Sequence, residues 1–106
     1  MTCDITIFRE VVSPHPVKKG VTLIERERFW SYSSWRLGEL FLLAKEVGPN
    51  QMLWTYPEEI AECASSFLDN NADELSNEDI EVLKGLIEIC RKEDEGEFSY
   101  TMIIDC

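Results

Sequence analysis

Residues 29–47 read FWSYSSWRLGELFLLAKEV. Four aromatic side chains, Phe29, Trp30, Tyr32 and Trp35, open the stretch, and Leu37, Leu40, Phe41, Ala44 and Val47 follow at helical spacing. Leu42 and Leu43 widen this stripe until little polar surface is left, which predicts a central helix packed on several sides. Ser33 or Ser34 suits its cap, and Gly48-Pro49 supplies stop chemistry. Gly38 costs about 1 kcal/mol relative to alanine inside a helix. Close approach of a neighbouring backbone is the expected compensation.

Upstream, DITIFREVV at residues 4–12 is rich in β-branched and aromatic residues and short enough for a strand. Ile5 and Ile7 would face one side, Thr6 and Phe8 the other, and apolar residues on both faces place it away from a wet edge. Ser13-Pro14-His15-Pro16 is expected to break it. Val21 to Ile24 reads as a second strand continuing into Glu25-Arg26-Glu27-Arg28, whose alternation puts one charge sign on each face.

Downstream, residues 50–56 read as a connector carrying Trp54 and Tyr56. A second helix begins at Pro57, which fits the first helical position, with Glu58 and Glu59 at the positive dipole end. Its stripe is Ile60, Cys63, Ala64, Phe67 and Leu68, and Asn70-Asn71 ends it. A third helix opens on a capping box, Ser76 with Asp79, and a staple of Leu75 with Ile80. Leu83, Leu86, Ile87 and Cys90 form its buried stripe. FSYTMIID at 98–105 alternates as a closing strand. The order β-β-α-α-α-β predicts a single α+β domain over residues 1–106, its helices packed on a small sheet formed by the N- and C-terminal strands.

A chain of 106 residues, 44% hydrophobic, supports one core. The start, MTCDITIFRE, lacks a basic n-region and an apolar h-region, so no signal peptide is expected. No apolar run approaches a bilayer span. The cysteines at 3, 63, 90 and 106 lack zinc-site spacing, and the expectation is free thiols in a reducing, cytoplasmic setting. A Cys63–Cys90 bridge between two helices is geometrically conceivable, but nothing in the sequence asks for it.

Charge is the most informative feature. The net value is −11, yet residues 1–50 carry seven bases against six acids, whereas residues 51–106 carry three bases against fifteen acids. Direct nucleic-acid binding is disfavoured, because phosphate contacts need a basic surface. A basic protein partner is favoured instead.

No stretch carries a catalytic, metal or phosphate-loop motif, and no cofactor is implied. His15 is the only histidine and reads as an ordinary loop residue. Carboxylate pairs such as Glu58–Glu62 and Glu74–Glu78 read as a solvated helix face, and the segment 69–74 lacks the glycine of a calcium loop. The candidate partner-binding residues are Trp30, Tyr32, Trp35, Trp54 and Tyr56, as aromatic anchors, and Asp73, Glu74, Glu78 and Glu81, on the acidic helices.

Together these features predict a non-enzymatic acidic binding protein, of the kind formed by bacterial immunity proteins and antitoxins that block a basic toxin such as a nuclease. A phage-encoded nucleic-acid mimic acting on a defence complex is the alternative. A small ligand-binding or enzymatic domain, with a pocket near Trp35 and Trp54, is the third reading.

Overall fold

The computed structural model describes residues 2–45, 52–93 and 98–106, with side chains described at all of these except 12 and 52–55. The chain runs β1 (Asp4–Pro14), β2 (Thr22–Ser33), α1 (Trp35–Lys45), β3 (Met52–Thr55), α2 (Pro57–Asn70), a 3-10 turn (Ala72–Glu74), α3 (Asn77–Arg91) and β4 (Ser99–Asp105). The four strands form one antiparallel sheet in the order β2-β1-β4-β3. The class is α+β, as the pattern of elements predicted.

The fourth strand differs from the sequence expectation. Residues 52–55, read as connector, pair with Tyr100–Ile103 of β4 as an outer strand. Four residues are too few to show a two-residue period, so only the pairing reveals the strand. β1 also runs two residues further than expected, through Ser13 to Pro14. Pro14 ends the ladder, where a missing N–H does least harm.

Alternation within the sheet is as read. Ile5, Ile7, Tyr100, Met102 and Ile104 are buried on one face, where they meet Leu37, Leu40 and Phe41 of α1, Ile60, Ala64 and Phe67 of α2, and Leu83, Leu86 and Cys90 of α3. Register places Glu25 and Glu27 on this helix side with Val11 and Arg9, and Arg26 and Arg28 on the open side with Glu10 and Phe8. Each face of β2 therefore carries one charge sign. The register shifts between Ile7 and Phe8, leaving Phe29 as an extra residue in β2. This bulge lets Phe29 and Trp30 both pack toward the core.

The central-helix expectation needs correction. Residues 29–33 belong to β2, and α1 starts at Trp35, with Ser34 Oγ accepting from the Leu37 N–H at 3.3 Å. Only one side of α1 is fully buried, since Leu43 is 66% exposed and Ala44 is exposed too. Val47 and the Gly48-Pro49 stop lie outside the described residues. Gly38 does sit at a close approach, but against a side chain: a Cβ there would meet Cys3 Cβ at 2.4 Å.

The free-thiol expectation is overturned for two cysteines. Cys3 and Cys106 form a disulfide, with Cα atoms 4.0 Å apart. Asp4 opposes Asp105 in the β1–β4 ladder, so the next residues outward are brought face to face. Cys63 and Cys90 are free thiols. Burial, and then the charge of Glu93, push the Cys90 thiol up to about 12, which keeps it inert. Among the described residues no helix is long and apolar enough to cross a membrane.

One further feature shapes the molecule. Among the described residues β4 pairs with β1 as far as Glu10, and Val11–Pro14 and Thr22–Glu25 continue as a two-stranded arm beyond that point. Every β2 residue from Thr22 to Arg28 is exposed, and the longest molecular dimension is 54 Å.

Candidate acidic and aromatic interface

α2 and α3 pack antiparallel, so the start of α2 lies beside the end of α3. Between the start of α2 and the beginning of β4 opens a groove of about 680 Å³ lined by Tyr56, Pro57, Glu58, Glu59, Glu62, Phe98 and Tyr100. A neighbouring hollow of about 350 Å³ continues it along Glu58, Ala61, Glu62, Cys90, Arg91 and Glu93. Local sequence builds this site directly. Pro57 at the first helical position directs α2 away from Tyr56, and Glu58, Glu59 and Glu62 then project from its first turns, where the helix dipole favours carboxylates.

Aromatic faces beside carboxylates suit a cation with an apolar stem. The protein already holds one such group at the edge of the groove. The Arg9 guanidinium lies 4.5 Å from the Phe98 ring centroid and 5.7 Å from that of Phe29. It also donates to Glu93 at 3.2 and 3.3 Å and to Glu27, and these carboxylates raise its pKa above the ordinary arginine value, the Glu27 bond contributing most. Tyr100 donates to Glu93 at 2.6 Å; burial foremost, reinforced by that bond, raises its pKa above the ordinary phenol range.

The sequence-predicted site residues fall into two groups. Tyr56 is 71% exposed and lines the groove. At the far end of the helix pair lie Asp73 and Glu74 in the 3-10 turn, with Glu78 and Glu81 exposed on α3. Trp35, 45% exposed, starts α1, and its neighbour Arg36 reaches Glu74 and Glu39. Trp30 and Tyr32 are half-buried against the core, so both act chiefly as packing residues. Trp54 opposes Thr101 in the β3–β4 ladder, and its side chain lies outside the described set. Trp30, Tyr32, Trp35 and Tyr56 thus form no single patch.

Glu58, Glu62, Phe98 and Tyr100 were not singled out as partner-binding residues. Phe98 and Tyr100 read as ordinary strand residues, and only the docking of α2 beside β4 turns them into a groove wall. Around the groove and along the helix layer, residues 57–92 hold ten acids against the three cations Lys84, Arg91 and Lys92. Of these cations, Lys84 pairs with Glu81 and Lys92 with Glu88. The groove described above is lined by Tyr56 and Phe98 and not by Trp35, near which, with Trp54, a pocket was expected.

His15 has a structural task. Its Nδ1 accepts from the Val17 and Lys18 backbone N–H groups at 3.1 and 3.0 Å, closing the turn at the end of the arm. Among the described residues no group of three or more His, Cys, Asp or Glu side chains is disposed to hold a metal ion. No family model, no curated protein and no solved structure matches this chain.

Proposed function

We propose that this chain is a non-enzymatic binding protein that neutralises a basic protein, in the manner of an immunity protein or antitoxin covering a toxin's cationic site. The observation that carries this reading is the groove. It sets exposed aromatic area beside Glu58 and Glu62, which make no ion pair among the described residues, whereas the neighbouring Glu59 is paired with Lys45, on a helix layer with a large negative excess. A nuclease-type target must be basic to hold its substrate. Opposed charge would steer encounter, while a basic side chain seated among Tyr56, Phe98, Glu58 and Glu62 would slow dissociation.

The test is an affinity pull-down from producing cells at low and then moderate salt, followed by inhibition of the captured protein's activity at equal stoichiometry. A single basic protein silenced one-to-one is the expected result. The double reversal Glu78→Lys with Glu81→Lys should slow that association about tenfold at low salt, with folding little changed, since both positions lie off the apolar stripe. Association unaffected by this reversal would remove the α3 face from the interface. Capture of a large nucleoprotein complex would favour the nucleic-acid mimic.

A further inference from the structure

The arm ends in a surface whose chemistry is the reverse of the groove's. Val17 is 83% and Ile24 65% exposed, with Val21 and Leu23 beside them. Lys18 and Lys19 sit in the same turn and make no ion pair among the described residues. Leu23 faces the helix side of the arm and Ile24 its open side, so apolar side chains are exposed on both faces near the two lysines, and such exposure at a tip marks an interaction surface. The tip is also held in one shape, by His15 Nδ1, by the His15 N–H donating to the Val21 carbonyl at 2.8 Å, and by Gly20 at φ +77°. A preorganised loop loses little entropy on docking.

We infer that this tip docks in the acidic groove of a second copy of the chain. Among the described residues Lys18 and Lys19 on the tip and Glu58 and Glu62 in the groove make no ion pair, and the two surfaces match in kind. Lys18 and Lys19 meet Glu58 and Glu62, while Val17 and Ile24 meet the Tyr56 and Phe98 rings. The tip of one molecule does not reach its own groove. The groove floor lies at the base of the arm, where Tyr100 opposes Arg9, and strands rise about 3.3 Å per residue, so the tip stands roughly 20 Å beyond it. A second copy supplies the missing half. Exchanging both arms reciprocally closes the pair on a two-fold axis, as most homodimers do. The inference needs no foreign partner and is tested on the chain alone; because it fills the groove that the toxin-inhibitor reading gives to a basic side chain, the second copy and such a partner would compete for it.

Sedimentation equilibrium of the full chain at low salt tests it. A concentration-dependent dimer is expected, weakened about tenfold or more both in Lys18→Glu with Lys19→Glu and in Glu58→Lys with Glu62→Lys. Circular dichroism should show each variant folded, because all four positions are exposed. Mixing the two variants is the sharper measurement. In the mixed pair each tip again faces a groove of opposite sign, so a heterodimer of near wild-type strength should form. A monomer at all concentrations, a dimer indifferent to the tip reversal, a mixture that fails to recover, or an open-ended ladder of oligomers would each overturn the proposal.

Discussion

Tyr32 donates its phenolic hydrogen to Asp79 Oδ1 at 2.7 Å, tying strand β2 to the first turn of α3. Asp79 occupies the acidic position of a capping box, and its own N–H donates to Ser76 Oγ at 3.0 Å. Its carboxylate serves the distant tyrosine. The local motif thereby becomes a tertiary clamp. Burial first, and then the Asp79 bond, raise the Tyr32 pKa above the ordinary phenol range.

Tyr32→Phe should therefore destabilise the fold by about 1.5–3 kcal/mol, the range for a hydrogen bond to a charged group. The loss arises because a buried carboxylate is left without its donor. Urea denaturation reads it directly. A change below about 0.5 kcal/mol would show that water satisfies Asp79 equally well.

Two glycines should respond in opposite directions. A Cβ at Gly38 would lie 2.4 Å from Cys3 Cβ and 2.9 Å from its Sγ, whereas one at Gly85 meets nothing within 4 Å. Gly38→Ala should cost about 1–3 kcal/mol through overpacking, despite alanine's better helix propensity. Gly85→Ala should stabilise by roughly 0.5–1 kcal/mol. Thermal or urea unfolding of both variants checks the contrast.

Much of this architecture was legible in the sequence. Pro57, Asn71 and the Ser76 cap bound α2 and α3 as read, because these signals act within a single turn of chain. What escaped depends on pairing between distant segments. Met52–Thr55 becomes a strand only beside β4, and Cys3 meets Cys106 only because of the β1–β4 register. The arm exists because β2 outruns β4, a difference of strand lengths that no local motif reports. Tyr56 was read as a candidate aromatic anchor and is exposed, but its groove neighbour Phe98 comes from a segment distant in sequence.

Removing the cross-link should be measurable. The Cys3–Cys106 bond spans a sequence separation of 103 residues, and closing so long a loop restricts the unfolded chain strongly. Cys106→Ser, or reduction, should lower stability by about 2–5 kcal/mol. Cys106 is exposed and its replacement opens no core cavity. Equal unfolding midpoints with and without reductant would show that the bond contributes nothing.

Glu74 offers a pH signature. A hydrogen bond from Asn71 at 2.7 Å, and then the neighbouring Arg36 charge, hold its carboxyl below the usual glutamate range. A carboxyl depressed in the folded state adds stability above its unfolded pKa, and that contribution is lost as pH falls through the folded value. Carbon-detected NMR titration should find Glu74 protonating below an ordinary exposed glutamate, and Asn71→Ala should move it upward. An unchanged midpoint in that variant would assign the shift to Arg36 instead.

The alternation Glu25-Arg26-Glu27-Arg28 along the outer strand has a consequence for crowding. Residues directly opposed in an antiparallel ladder share a face, and a two-fold axis between identical strands must pair positions of the same parity. Any symmetric pairing centred on this segment therefore sets Glu25 against Glu27, or Arg26 against Arg28, or one of them against itself. Among the described residues β2, twelve residues long, has no strand on its outer side; such an edge would otherwise be a template for endless sheet growth, and like charges on both faces of the strand insulate it. Copies of this protein can meet through the arm's end without zipping along its side.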